Sequence, residues 1–472
     1  MALAGNGVHP RYLRGGFLDR ALRSTEPSQA QKSPRQKGLR DFRASVWQVK
    51  SHLFILTAGT RVDLMKEQLL RELASDYLVP LFSGSSLADA AEPSTYRHQG
   101  VAFRSPVSIA FKVSREDNYR LVLTRSQPFA GNIIPETAVV RAFVACLKEM
   151  EDVLNTPLKV DLLSTFERKI VARAVARRDW SEVVLSGIDQ LAKWGNRRYE
   201  GAPISAAIGF RHRSQPEGSL RLGQLAAHDF SAVLTNGQDT LLEFDFGGRL
   251  IGHEALSAGD ELPPYCPFRQ APIAEWTTTD EGRIALTLNR LGEILVFRNQ
   301  QLLFARRSGR WHFLTHEPVI TQMGVPHHAD VRRAIYETCL DASFARTGAC
   351  IGIVTRPGID DLVQDEDRID NNAFAGTKVR TIRSIVQGRS FRNLDRRLRQ
   401  ELVAIDGATV LSNEGDILAV GAILKIPGGS TGGGRLAAAK ALGRLGLGIK
   451  VSQDGAISGF RLEHPNAAFN VM

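Results

Sequence analysis

IDGATVLSNEGDILAVGAILKIPGGSTGGGRLAAAKALGRLGLGIKVSQDGAISGF, residues 405–460, is the stretch whose reading decides the fold. It alternates two kinds of element. ATVLS, ILAVGAIL and LGIKVS are short apolar runs bounded by Gly, Asp, Asn and Ser, the pattern of strands between turns. Between the last two lies PGGSTGGG, residues 427–434, which opens onto the small-residue helix GGGRLAAAKALGRLG. Strands interleaved with helices predict an α/β layer with some antiparallel pairs.

Two features of this stretch suggest chemistry. PGGSTGGG holds five glycines in eight residues. Glycine lets a backbone turn tightly and approach a ligand without side-chain obstruction, and the head of the following helix offers free N–H groups to phosphate. Ser430 and Thr431 are placed to cap that helix or donate to a phosphate oxygen, and Arg435 and Lys440 add charge. No GK[ST] ends the loop, so it is not a Walker A motif, and glycine richness before a helix is as often only a flexible turn. The second feature is Asp406, which precedes Gly407 and Ala408 at the entry to a strand. A carboxylate there suits Mg²⁺ or a ribose hydroxyl, and equally suits a turn aspartate bonded to its own backbone.

In this order the residues resemble the diadenylate cyclase domain, known from DNA-integrity scanning proteins and from bacterial enzymes that make cyclic di-AMP. The likeness covers about residues 325–460, under one third of the chain. In that family an Asp-Gly-Ala motif begins a strand and supplies a metal-linked carboxylate; Asp406, Gly407 and Ala408 match it, followed by TVL. A Gly-Thr-Arg-His-Arg group then holds the triphosphate. Here the region reads Gly432, Gly433, Gly434, Arg435 and Leu436, so both family arginines are replaced, by Gly434 and Leu436, and the histidine by Arg435. Each lost charge-assisted contact costs roughly 1.5 to 3 kcal/mol. The altered group is similar to diverged, non-cyclizing relatives of the domain, and KVSQDGAIS is similar to its terminal strand.

Outside this region the chain is plainer. Its 472 residues exceed one ordinary core, 43% of them are apolar, and no window reaches the length of a membrane span. The start, MALAGNGVHPRYLRGG, lacks the apolar run of a secretory signal, so a cytoplasmic protein is expected. Cys146, Cys266, Cys339 and Cys350 are far apart and read as buried thiols. With His327 and His328 completing no ligand set, no structural metal is expected. The acidic run DLVQDEDRIDNN, 361–372, lacks EF-hand spacing and reads as a solvated loop. Arg380 and Arg383 beside it are placed either to approach phosphate or to face solvent.

The formal charge of +10 is uneven, with 10 Lys or Arg against 3 acidic residues in the first 60. Such a surface favours nucleotides, nucleic acid or acidic proteins without choosing among them. Residues 1–42 read as a basic flexible arm. Residues 43–200 read as an α/β or α+β domain, with a strand at 45–59, a helix from 63, a loop at 83–100, strands at SPVSIAFKV and YRLVLTR, and helices at 136–154 and 164–195. Residues 201–324 read as antiparallel β-structure that includes AAIGF, SAVLTN, LLEFDFGG and a hairpin of ILVFRNQ with QLLFARR, near Trp311 and Phe313. Residues 325–472 form the site-bearing domain, with helices at HADVRRAIYETCLDASFAR and at LDRRLRQELVAID, whose polar face is strongly charged. The expected fold is α/β and multidomain: a C-terminal domain of mixed sheet with flanking helices, resembling the diadenylate cyclase domain, preceded by a β-rich region.

The resemblance implies a nucleotide or cyclic-dinucleotide sensor, with phosphates at Ser430, Thr431, Gly432, Gly433, Gly434 and Arg435, Asp406, Gly407 and Ala408 beside the ribose, and Mg²⁺ or Mn²⁺ at Asp406. Its alternative is an active diadenylate cyclase converting two ATP, with Asp406 catalytic and two sites face to face in a homodimer. An effector protein is the expected partner of a sensor. A basic nucleic-acid or protein adaptor is the third reading; the N-terminal charge supports it, but no recognisable nucleic-acid motif does.

Overall fold

A computed structural model describes residues 58–89, 100–112, 121–129, 136–150, 159–213, 219–278, 282–323, 328–355, 357–370, 376–426, 433–462 and 464–472. The chain divides into Met1–Val62 and Asp63–Met472, and every described sheet belongs to the second unit. The basic arm and residues 45–57 of the expected first strand lie outside the described residues; Ala58 and Gly59 open a helix instead.

The first layer holds α1 (Ala58–Tyr77), β1 (Ser85–Asp89), β2 (Val101–Ser105), β3 (Ser108–Phe111), β4 (Leu121–Arg125) and α2 (Glu136–Met150). Its four strands pair in the order β1-β4-β3-β2, all antiparallel. β1 corrects the expected loop at 83–100: SSLAD is polar and largely exposed, so it shows no apolar alternation, yet it is held by β4 along its whole length. The expected helix at 164–195 is in fact two, α4 (Phe166–Val175) and α5 (Ser181–Gly195), preceded by the short α3 (Lys159–Ser164). They separate where Trp180 stacks on Phe246 with ring centres 4.0 Å apart, a tertiary contact that turns the chain out of one straight helix.

After a two-residue hairpin of β5 (Arg198–Tyr199) and β6 (Ala202–Pro203) comes a seven-stranded sheet. Its strands are β7 (Ala206–Arg211), β8 (Thr240–Asp245), β9 (Leu250–Ala255), β10 (Ile284–Leu288), β11 (Ile294–Arg298), β12 (Gln301–Arg307) and β13 (Arg310–Phe313). The order is β13-β12-β11-β10-β7-β8-β9. It is mixed rather than purely antiparallel, because β7 and β8 run parallel and are joined through α6 (Leu222–Leu225). SAVLTN is not a strand: Asp229–Val233 coils as a 3₁₀ turn with the Ser231 hydroxyl donating to the His228 carbonyl. All five residues of β10 are buried, as expected of a strand covered on both faces. On one face α5 seats Gly187 against Leu286 and Phe210, so residue 200 falls between a helix and the sheet it covers. On the other, α7 (Ala271–Trp276) lays Trp276 over Gly209.

That second face shares a core with the C-terminal layer, uniting Ala285, Phe297 and Leu302 with Ile335, Ile351, Ile449 and Phe469. The layer contains α8 (His316–Thr321), α9 (Ala329–Ala345), β14 (Ala349–Val354), α10 (Ile359–Leu362), α11 (Thr377–Val386), α12 (Arg396–Ala404), β15 (Ala408–Ser412), β16 (Ile417–Ala422), α13 (Gly434–Leu445), β17 (Gly446–Val451), β18 (Ile457–Arg461) and β19 (His464–Val471). Its sheet is ordered β16-β15-β14-β17-β18-β19, with β14 and β15 parallel and the other pairs antiparallel. The fold is thus α/β with several sheets, a mixed C-terminal sheet and flanking helices behind a β-rich region.

The strongly charged face of the LDRRLRQ helix is in part turned inward. Arg396 and Arg399 of α12 are 5% and 6% exposed. Arg396 reaches Asp341 at 2.7 Å and also donates to the carbonyls of Pro263 and Cys266, while Arg399 pairs with Glu337. Buried cations persist only when paired and hydrogen-bonded, and here the pairing ties the layer to the segment before α7. A second tie is Glu293, which accepts from Arg307 at 2.7 Å and from Arg346. The four cysteines are buried and unbridged, and among the described residues no helix is long and apolar enough to cross a membrane.

Candidate functional site

The end of the parallel pair β14–β15 where both strands begin is built around glycines. Ile351 pairs with Thr409, so Gly348 and Asp406, each three residues earlier, lie at the same end. Gly407 has φ +110°, and a Cβ there would stand 2.5 Å from the Gly421 carbonyl carbon. Gly421, at φ +62°, would in turn meet Ile405 and the Asp406 carbonyl oxygen. The Asp406–Gly407 corner therefore crosses directly over the end of β16, and only glycines allow it. Ala408 is buried, while Asp406 is exposed. Among the described residues its carboxylate accepts no hydrogen bond, so the turn-aspartate reading does not describe it.

α13 is seated on β14, β17 and β18 by further glycines. A Cβ at Gly448 would lie 1.8 Å from the Ala439 carbonyl oxygen, and one at Gly352 would strike Leu442. β17 follows α13 directly and runs antiparallel to β14, which brings the head of α13 to the end that carries Asp406. No side chain caps that head, where Gly433 sits at φ +92°. Arg435, half-buried, lays its guanidinium against Gly348: a Cβ at Gly348 would be 2.5 Å from Nη1. It makes no hydrogen bond or ion pair with a described residue. Its charge is felt by Cys350, whose thiol burial pushes up to about 12 while Arg435 pulls it back.

The expected residues thus divide. Asp406, Gly407, Ala408, Gly433, Gly434 and Arg435 come to one end of the sheet. Ser430, Thr431 and Gly432 lie outside the described residues. Lys440 lies with its ammonium 6.0 Å from the centre of the Phe460 ring. Leu436 packs against the small cluster of Cys350, Ala408, Val410 and Leu442.

The acidic side chains of the described part of the run are largely exposed, as a solvated loop would have them, but the segment is not loose. Arg368 binds Asp360 and Asp370, Asp367 binds Lys378 and accepts from the Ile423 amide at 3.2 Å, and Arg368 bridges to Ala419. The segment fastens along β16. Arg383 is spent on the Ile369 carbonyl, and Arg380 is exposed. Lys378 is not among the residues expected from the sequence. It donates at 2.9 Å to the carbonyl of Gly421 and so stands beside the Asp406 corner. Its signal was its place in the first turn of the helix after the acidic run. Among the described residues no group of three or more His, Cys, Asp or Glu could hold a metal ion.

No family model matches the chain, and no curated protein matches it. A solved structure of DacA from Staphylococcus aureus, a double cysteine mutant, is similar to part of it: 16% identity over 31% of this chain and 90% of that one, with a TM-score of 0.22.

Proposed function

We propose that the C-terminal layer is a nucleotide or cyclic-dinucleotide sensor diverged from a diadenylate cyclase domain. The observation that carries this reading is the uncommitted pair at one end of the sheet: an exposed carboxylate, Asp406, and a half-buried guanidinium, Arg435, beside an uncapped helix head. A phosphate on that head would meet free N–H groups, the positive end of the helix dipole and Arg435. Asp406 would face the ribose or a divalent ion. Mg²⁺ is commonly held by one or two carboxylates together with substrate phosphates, and a lone Asp406 fits an ion that arrives with its ligand.

The cyclase alternative is disfavoured by where the two altered positions lie. Gly434 offers no side chain, and Leu436 belongs to an apolar cluster, so neither replaces a phosphate-binding arginine. Titration of full-length protein with cyclic di-AMP and with ATP tests the proposal. Arg435→Ala should weaken the bound nucleotide about tenfold, the equivalent of one charge-assisted contact, and Asp406→Asn should remove any dependence on Mg²⁺. Binding that is indifferent to Arg435→Ala refutes the assignment.

A further inference from the structure

A cavity of about 530 Å³ lies far along the chain from Asp406, between α1, α3, α4, α5 and the β12–β13 hairpin. Its volume is that of an ordinary small-molecule site. α5 lines it with Asp189 and Lys193, and the residue that follows the helix, Asn196, continues the same face. Asp189 is satisfied by Arg168.

Three groups on its wall are not satisfied by the described residues. Glu167 and Arg306 are half-buried, and neither makes a side-chain hydrogen bond or ion pair with a described residue. Trp311 is 1% exposed, and its indole N–H has no partner among them. Successive side chains of β12 point to opposite faces: Arg307 turns to Glu293 in the core shared with the C-terminal layer, and Arg306 to this cavity. Burial pushes the Glu167 carboxyl up, against the pull of Arg306 and Arg310. Buried polar groups ordinarily find partners, and an acid and a base left open on one wall ask for a ligand with the opposite arrangement.

We propose that this cavity binds a small zwitterion of the amino-acid class, its ammonium on Glu167 and its carboxylate on Arg306 and Lys193. A plain phosphate or dicarboxylate would leave Glu167 unmatched and face Asp189 as well. The site is separate from the nucleotide reading and stands without it.

The test is calorimetric titration of the full-length protein with each of the twenty common amino acids, followed by the deaminated acid and the decarboxylated amine of any that binds. At least one amino acid should bind saturably with a change in tryptophan fluorescence that Trp311→Phe diminishes. Both stripped analogues should fail. Glu167→Gln, which keeps the side-chain length, and Arg306→Gln, which removes the guanidinium, should each weaken binding about tenfold or more, while Arg435→Ala leaves it unchanged. Thermal melts of the unliganded variants report whether they remain folded. Absence of saturable binding by any amino acid, equal binding of the deaminated acid, or indifference to both substitutions in folded protein overturns the proposal.

Discussion

Gly448→Ala is the sharpest test of the seat that places Arg435. The added Cβ would lie 1.8 Å from the Ala439 carbonyl oxygen, 2.6 Å from its carbonyl carbon and 2.9 Å from its Cα. These are backbone atoms of α13, so no rotamer change relieves the clash; the helix itself must lift from β17 by roughly 1.5 Å to reach van der Waals contact. Overpacking of this kind costs about 1–3 kcal/mol, and a rigid backbone partner argues for the upper end. In a unit that runs from Asp63 to Met472, with an unfolding entropy of roughly 2.1 cal/mol/K per residue, each kcal/mol moves the midpoint by about 1 °C, so it should fall by about 3 °C. Gly434→Ala is the control, because nothing lies within 4 Å of its Cβ and its φ is not left-handed. Its midpoint should stay near that of the unmodified protein. Differential scanning calorimetry of both variants decides the matter. A Gly448→Ala protein whose midpoint falls by less than about 1 °C, the shift of roughly 1 kcal/mol in a unit of this size, would show that α13 does not sit this close to β17.

Three further expectations rest on buried groups and glycines. His316 donates through Nε2 to the Leu302 carbonyl and accepts at Nδ1 from the Tyr336 hydroxyl at 2.6 Å, and burial lowers its pKa from 6.5 to about 4. Between those values the unfolded chain binds the extra proton. The stability present above pH 6.5 should therefore fall by about 3 kcal/mol as the pH drops toward 4, and His316→Gln should flatten that slope in urea titrations. His312, also lowered to about 4 by burial, adds to the loss in the same window. Arg396→Met should cost about 3–5 kcal/mol by leaving Asp341 buried and unpaired; in a denaturation cycle the Arg396→Met/Asp341→Leu double variant should recover most of it. Gly348→Ala, at φ +66° and 2.5 Å from Arg435 Nη1, should cost about 1–2 kcal/mol in backbone strain. It should also weaken nucleotide binding as Arg435→Ala does, because the flexible guanidinium moves before the sheet does.

What the sequence made legible was local. The strands ATVLS, ILAVGAIL and LGIKVS were readable because turn residues bound each apolar run, and the helix after the glycine loop because small residues fill it. Asp406 and Arg435 were visible through motif order. Polar β1 was not, since an edge strand held by β4 needs no apolar alternation. Nor was the burial of Arg396, whose partner Asp341 lies 55 residues away and whose charge looks, on a helical wheel, like a wet face. Gly348 and Lys378 escaped for a related reason. Their roles exist only once β14 lies beside β15 and the acidic segment fastens along β16.

On this reading the Asp406–Arg435 end binds a nucleotide without turning it over. Purified full-length protein should be incubated with ATP and Mg²⁺ or Mn²⁺, and released and retained small molecules read by mass spectrometry, alongside Arg435→Ala. A sensor should retain a nucleotide that Arg435→Ala loses and yield no cyclic product beyond one per chain. A cyclic dinucleotide accumulating over many turnovers and abolished by Asp406→Asn would contradict it and make the domain a cyclase.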